Sequence, residues 1–205
     1  LRAAALTHMD WQALRVSLSL GLWTVALLVP LGMWAGHRLA TRAFRGKSLA
    51  EAAVAIPLLL PPTVLGFYLL TIFSPQSAIG ALVARVAGAP LAFSFPGLVL
   101  ASVIINVPFV VQPIQRAFEA IPADVRDAAA CCGLSPWQRF RRIEAPLAWP
   151  GILTAAILTF AHTLGEFGVV LMVGGNLPGE TRTLSVAIYD RMQAFDDASA
   201  GVMAA

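Results

Sequence analysis

The sequence predicts an all-α integral membrane protein, a polytopic helical bundle forming one domain over residues 1–205. Three observations lead there. Of the 205 residues 58% are hydrophobic and 12% charged, about half the charged share of an ordinary soluble domain. Four apolar runs, at about residues 16–36, 52–73, 93–115 and 150–173, are each long enough to cross roughly 30 Å of hydrocarbon. Between the third and fourth lies one polar, basic stretch, residues 119–149, dense in helix punctuation.

The composition also excludes. A sequence pI near 9.4 does not point to nucleic acid, because the basic residues sit in loops beside apolar spans. The two cysteines, Cys131 and Cys132, are neighbours and poorly placed for a structural disulfide. His8, His37 and His162 are far apart, so no metal-ligand cluster is expected.

In chain order, the sequence opens at Leu1, and Met9 is a candidate natural start, the first eight residues then being an upstream remnant. The first run, Val16 to Gly36, is too long for a cleaved signal peptide. Its Gly32 and Gly36 form a small-residue pair suited to close helix packing. Gly46-Lys47-Ser48 imitates the end of a phosphate-binding loop, but Thr41 stands where that motif needs glycine and no strand precedes it. The second run holds Pro57, Pro61 and Pro62, which kink a span or interrupt it as in transporters. Residues 74–91 form a loop with a short interfacial helix. The third run carries Asn106 and Pro108; a buried Asn in lipid needs a partner on another helix.

Residues 119–149 parse as two short helices around a glycine. The first starts near Asp124, with Val125, Ala128, Ala129 and Cys132 on one narrow apolar face. Gly133 falls where a helix-terminating glycine belongs. Ser135, Pro136 and Gln138 then supply a capping box with proline at the first helical position. Trp137, Phe140 and Ile143 or Glu144 follow at helical spacing, and Pro146 is expected to end the helix.

The fourth run carries His162 and Glu166, four apart on one helical face. Glu166 lies about 16 residues past Pro150, roughly 24 Å along a helix. An ionisable residue inside a span is a functional candidate by default. Two roles stay open for it: a gate or packing residue tied to His162 or a nearby arginine, or a purely structural pair. After a turn at residues 174–183, Leu184, Val186 and Ile188 mark a short amphipathic segment. Residues 198–205 read as the start of a further apolar run, with a final span expected beyond 205.

Nine of the 14 Lys and Arg residues lie in the two loops after the first and third runs. That puts residues 119–149 in the cytoplasm and the amino end outside.

Asp127-Ala128-Ala129, Gly133, Ile143 and Pro146 stand at the spacing of the cytoplasmic coupling loop of ABC importer permeases, which this segment resembles. Asp127 replaces the usual Glu and Ala145 the usual Leu. The stretches LLLPPTVLGFYLL (from Leu58), HTLGEFG (from His162) and NLPGETRTLSVAIY (from Asn176) are similar to the molybdate/tungstate permeases among type I ABC importers; sulfate and thiosulfate permeases are near neighbours. The resemblance implies a permease homodimer in the bacterial cytoplasmic membrane that forms the translocation pathway. Its implied partners are two ABC ATPase subunits docked on residues 124–146, an outer oxyanion-binding protein and membrane lipid. ATP and Mg would bind the ATPase subunits, and this chain would carry no cofactor and no catalysis. His162, Gly165, Glu166 and Arg182 become candidate gate or pathway residues, Arg182 also a candidate contact for the anion or the binding protein. Of the other classes, an ATP-independent channel or scaffold stays open. A membrane-embedded hydrolase lacks a nucleophile beside His162 and Glu166.

Overall fold

The structure, a computed structural model, describes residues 9–205. The reading of the first eight residues as an upstream remnant, with Arg2 and His8, lies outside the described residues.

Among the described residues every regular element is helical. In chain order they are α1 (Trp11–Thr41), α2 (Lys47–Leu59), α3 (Pro62–Phe73), α4 (Ala78–Ala87), α5 (Phe95–Glu119), α6 (Ala123–Cys131) and α7 (Pro136–Gly165). Then follow α8 (Gly168–Gly174), α9 (Leu184–Gln193) and α10 (Asp197–Ala204). α1, α5 and α7 are each long and apolar enough to cross a membrane, and α2 with α3 make a fourth crossing if taken together. Leu22, Trp23, Leu31 and Trp34 of α1 are exposed, the side-chain chemistry of a lipid-facing surface rather than a wet one.

The structure takes one of two readings left open and changes one expectation. The proline-rich second run is broken, not kinked: α2 stops at Leu59, and α3 restarts at Pro62 after an extended Pro61 with ψ 136°. Each proline disfavours helical geometry in the residue before it, so Pro61 and Pro62 together remove Leu60 and Pro61 from the helix. The fourth run begins earlier and stops sooner. α7 passes through both Pro146 and Pro150 and ends at Gly165, leaving Glu166 and Phe167 between α7 and α8. Pro146 fails to stop the helix because a π turn, Phe140–Glu144, comes just before it. There the Ala145 N–H donates to the Phe140 carbonyl, five residues back. That wider register relieves the crowding a proline ring causes against the preceding turn.

The chain divides into two compact units. Among the described residues the first comprises 9–24, Leu60–Ile105 and Phe160–Ala205. Its core joins Leu69 and Phe73 of α3 to Ala101 and Ile105 of α5 and to Val169 and Val173 of α8. A second cluster gathers Leu20, Leu98, Val170 and Val186. Polar glue runs through this unit. The Thr24 hydroxyl donates to the Leu20 carbonyl or to Ser102 Oγ, both at 2.8 Å, and Ser102 lies 3.4 Å from Thr163 Oγ1. Such bonds hold helices together where apolar side chains gain little over lipid.

The second unit comprises Val25–Leu59 and Asn106–Thr159. Its buried residues include Leu28, Val110, Ile114, Phe118, Ala148, Ile152 and Ala155. The Gly32/Gly36 pair packs as its spacing predicts. A Cβ on Gly32 would lie 2.1 Å from Val110 Cγ1, and one on Gly36 would lie 2.9 Å from Ile114 Cγ2. Asn106 is fully buried.

Candidate functional site

Two groups of predicted residues are each brought together, one in each unit. In the second unit, residues 123–146 form a compact knob. α6 ends in a paired hydrogen-bond closure: the Gly133 N–H donates to the Ala130 carbonyl at 2.9 Å and the Leu134 N–H to the Ala129 carbonyl at 3.2 Å. This is the Schellman arrangement, and it requires a left-handed residue. Gly133 supplies it, with φ 75° and nothing within 4 Å of where a Cβ would sit. The turn leads into the capping box. The Ser135 Oγ accepts from the Gln138 N–H at 3.3 Å, and the Gln138 side chain accepts from the Ser135 N–H at 2.9 Å.

The expected apolar face of α6 is mostly open. Ala129 is buried, but Asp127, Ala128, Cys131, Cys132 and Gly133 are exposed. Ile143 is half-buried and Pro146 exposed. The knob therefore offers small side chains outward, leaving room for another backbone to approach. Trp137 is 66% exposed and stacks on Phe140, ring centroids 5.6 Å apart. A groove of about 460 Å³ runs beside it, lined by Pro30, Met33, Trp34, His37 and Phe140.

Glu144, which the sequence offered only as an alternative to Ile143 in a helical stripe, holds the knob together. It has no exposed surface. Its Oε2 lies 2.7 Å from His37 Nε2 at the end of α1. Its Oε1 lies 3.3 Å from Arg126 Nε of α6 and 3.2 Å from Arg139 Nε at the start of α7. Those two contacts are ion pairs by distance without the alignment of hydrogen bonds. Arg126 also donates to the Phe118 carbonyl. The rings of Phe118 and Phe140 pack edge-on against His37, with centroids at 4.9 and 5.0 Å. Sequence reasoning missed His37, Arg126, Arg139 and Phe118. The available signal was Glu144 itself, heading a stripe with Ala148, Ile152, Ala155 and Thr159, all buried.

In the first unit, Glu166 occupies the break after α7. Its Oε1 accepts from the Val169 N–H at 2.9 Å, capping α8, and its backbone carbonyl accepts from the Ser185 hydroxyl at 2.7 Å. His162 Nε2 lies 3.9 Å from Glu166 Oε2. Gly165 is the last residue of α7, with no heavy atom within 4 Å of a Cβ position. Gly168 brings α8 against α3: a Cβ there would lie 3.0 Å from Pro62 Cβ.

Arg182 belongs to the turn that follows. Its Nε donates to Asn176 Oδ1 at 2.7 Å, and its guanidinium lies 3.8 Å from Asp190 Oδ2. Asn176 in turn donates to Asp190 at 2.8 Å. Thr181, fully buried, donates to the Gly174 carbonyl at 2.6 Å. Arg182 thus fastens the turn to α9 through one hydrogen bond and one longer ion pair. A cleft of about 660 Å³ and mixed polarity opens nearby, lined by Gln12, Arg15, Glu180, Trp23 and Phe95 among others.

Residues 28–205 match the family described as "Binding-protein-dependent transport system inner membrane component". The chain is 48% identical over 195 residues to the molybdenum transport system permease protein ModB of Azotobacter vinelandii, covering 95% of this chain and 86% of that one. It is 36% identical over 188 residues to the protein of the same name from Escherichia coli K12, covering 92% and 82%. Among solved structures, a bacterial ABC transporter importing the acidic polysaccharide alginate shares the fold with TM-score 0.76 at 17% identity, over 93% of this chain and 71% of that one.

Proposed function

This chain belongs to the family of binding-protein-dependent transport system inner membrane components, and from that premise we propose that it is the permease subunit of an ATP-driven molybdate importer. Tungstate, an oxyanion of the same shape and charge, is the second substrate. The observation that carries the substrate is the identity to molybdenum transport permeases along nearly the whole chain. Members of this family form the membrane pathway and do not themselves catalyse.

ATP and Mg bind a separate ATPase. The working assembly contains two permease copies, two such ATPase subunits and an outer oxyanion-binding protein, set in membrane lipid. The knob, residues 124–146, is the ATPase docking element and lies in the cytoplasm, a placement the Lys and Arg distribution supports. Asp127, Ala128, Ala129, Gly133, Ile143 and Pro146 shape its surface and turns. His162, Gly165 and Glu166 line the interruption between α7 and α8, where a gate can work without breaking a regular helix. Arg182 supports that region from the turn.

Uptake into proteoliposomes tests this. The permease, its ATPase and its binding protein are reconstituted together and offered molybdate and sulfate separately, with and without ATP. ATP-dependent molybdate uptake that excess sulfate leaves unchanged is expected. Sulfate uptake in place of molybdate overturns the substrate, and flux without ATP overturns the importer.

A further inference from the structure

We propose that Glu144 is a positioning residue that makes the knob one rigid body and ties it to α1 through His37. The inference rests on the importer reading for its consequence, but not for its structural part. A single carboxylate with no exposed surface meets cationic or donor groups from three elements: His37 of α1, Arg126 of α6 and Arg139 of α7. α6 is nine residues long and α7 has a π turn inside its first ten residues. A helix as short as α6 is marginal without tertiary support, and the π turn interrupts the regular hydrogen bonding of α7 where it enters the knob.

The carboxylate supplies that support at the point where all three elements converge. Its two oxygens divide the work. Oε1 takes the two knob arginines, drawing α6 towards α7, and Oε2 takes the imidazole of α1. Arg126 adds a further tie, donating to the Phe118 carbonyl of α5. The π turn ends at Glu144. Single π turns inside α-helices are frequent at functional sites. A push delivered to the outer face of α6 therefore reaches α1 through one buried group instead of dissipating in a loose loop.

The test has two arms, so that failure of this inference and failure of the importer reading are told apart. In the permease alone, reconstituted in nanodiscs, amide hydrogen exchange is compared between the native protein and Glu144→Gln. Amides of residues 124–134 are expected to exchange on the order of tenfold faster in the variant while those of α5 stay protected. Unchanged exchange across residues 124–134 overturns the proposal, whatever the protein transports.

In the assembled complex, molybdate moved per ATP hydrolysed is the readout. Glu144→Gln is expected to lower that ratio about tenfold with ATPase turnover largely kept. An unchanged ratio, whether both rates hold or both fall together, overturns the proposal. If Glu144→Gln does not accumulate in membranes, His37 decides by itself. His37→Gln, which keeps a donor for Oε2, is expected to retain the native ratio, and His37→Leu to lose it; equal ratios in these two overturn the link to α1. A native complex that shows no ATP-dependent uptake overturns the importer reading and leaves the exchange result standing.

Discussion

His37 and Glu144, 107 residues apart in the chain, meet at 2.7 Å. The carboxylate is fully buried and also faces two guanidinium groups. Removing one partner of a buried ionic set costs about 3–5 kcal/mol, because the remaining charges lose their counter-ion. Glu144→Ala is therefore expected to lower the thermal unfolding temperature of the purified permease by several degrees, far more than truncating the exposed Glu180. Equal shifts for the two variants would show that the buried set contributes nothing to stability.

Gly133 is required for its backbone and not for its smallness. Its φ is 75° and a Cβ there would meet nothing. An L-residue in that conformation costs about 1–2 kcal/mol, with Asn the most tolerant. Gly133→Asn should keep most transport per ATP, and Gly133→Val should lose most of it while still reaching the membrane. Exchange protection of residues 124–134 should follow the same order. Equal behaviour of Asn and Val would mean that the partner, and not the turn, demands glycine.

Glu166 acts on α8 through an acceptor oxygen. Its Oε1 receives the Val169 N–H at 2.9 Å, and losing such a cap costs about 0.5–2 kcal/mol. A neutral amide still accepts this bond. Glu166→Gln is therefore expected to transport molybdate within about twofold of the native protein, and Glu166→Ala to fall well below it. Loss of uptake in Glu166→Gln, with the protein stable, would assign the role to the charge instead of the cap.

What was legible in the sequence was what neighbours in the chain decide. α1 and α5 follow from long apolar runs, which need no tertiary context to be read. The Gly133 turn and the Ser135–Gln138 capping box are closed by residues within five positions of each other, so spacing alone finds them. Glu144 is different, because His37 and Arg126 reach it from other helices and nothing local marks their convergence. Pro146 was misleading for a related reason. A proline stops a regular helix, but the π turn before it changes the register, and that turn leaves no mark in composition. The break after Gly165 was hidden because Leu164 to Val173 holds no proline and one charge.

Arg182, Asn176 and Asp190 form a closed triangle of side chains at 2.7, 2.8 and 3.8 Å. Residues that share a network do not add independently; their coupling runs about 0.5–3 kcal/mol. The stability losses of Arg182→Ala and Asp190→Ala should therefore overlap, with the double variant scarcely worse than the poorer single one. Strict additivity in thermal unfolding would show that the pair is not coupled. Because the Nε of Arg182 is held in the turn by Asn176, a purely structural role predicts that Arg182→Ala reduces the maximal rate of molybdate uptake without raising the half-saturating concentration. A raised half-saturating concentration would assign its terminal nitrogens to the anion.

Gly32 and Gly36 set how closely α1 approaches α5 in the second unit. A Cβ on Gly32 would fall 2.1 Å from Val110 Cγ1, on a stiff β-branched side chain that has little room to turn aside. A Cβ on Gly36 would fall 2.9 Å from Ile114 Cγ2 and 3.0 Å from the Gln115 backbone nitrogen, which a side-chain rotation does not relieve. Overpacking costs about 1–3 kcal/mol per site. Gly32→Ala is expected to be rescued in part by Val110→Ala, which removes the obstructing methyls. Gly36→Ala should gain less from Ile114→Ala, because the backbone nitrogen remains. Thermal unfolding of the four single and two double variants decides it. Equal rescue at both positions would mean that the helices slide apart instead of yielding side chain by side chain.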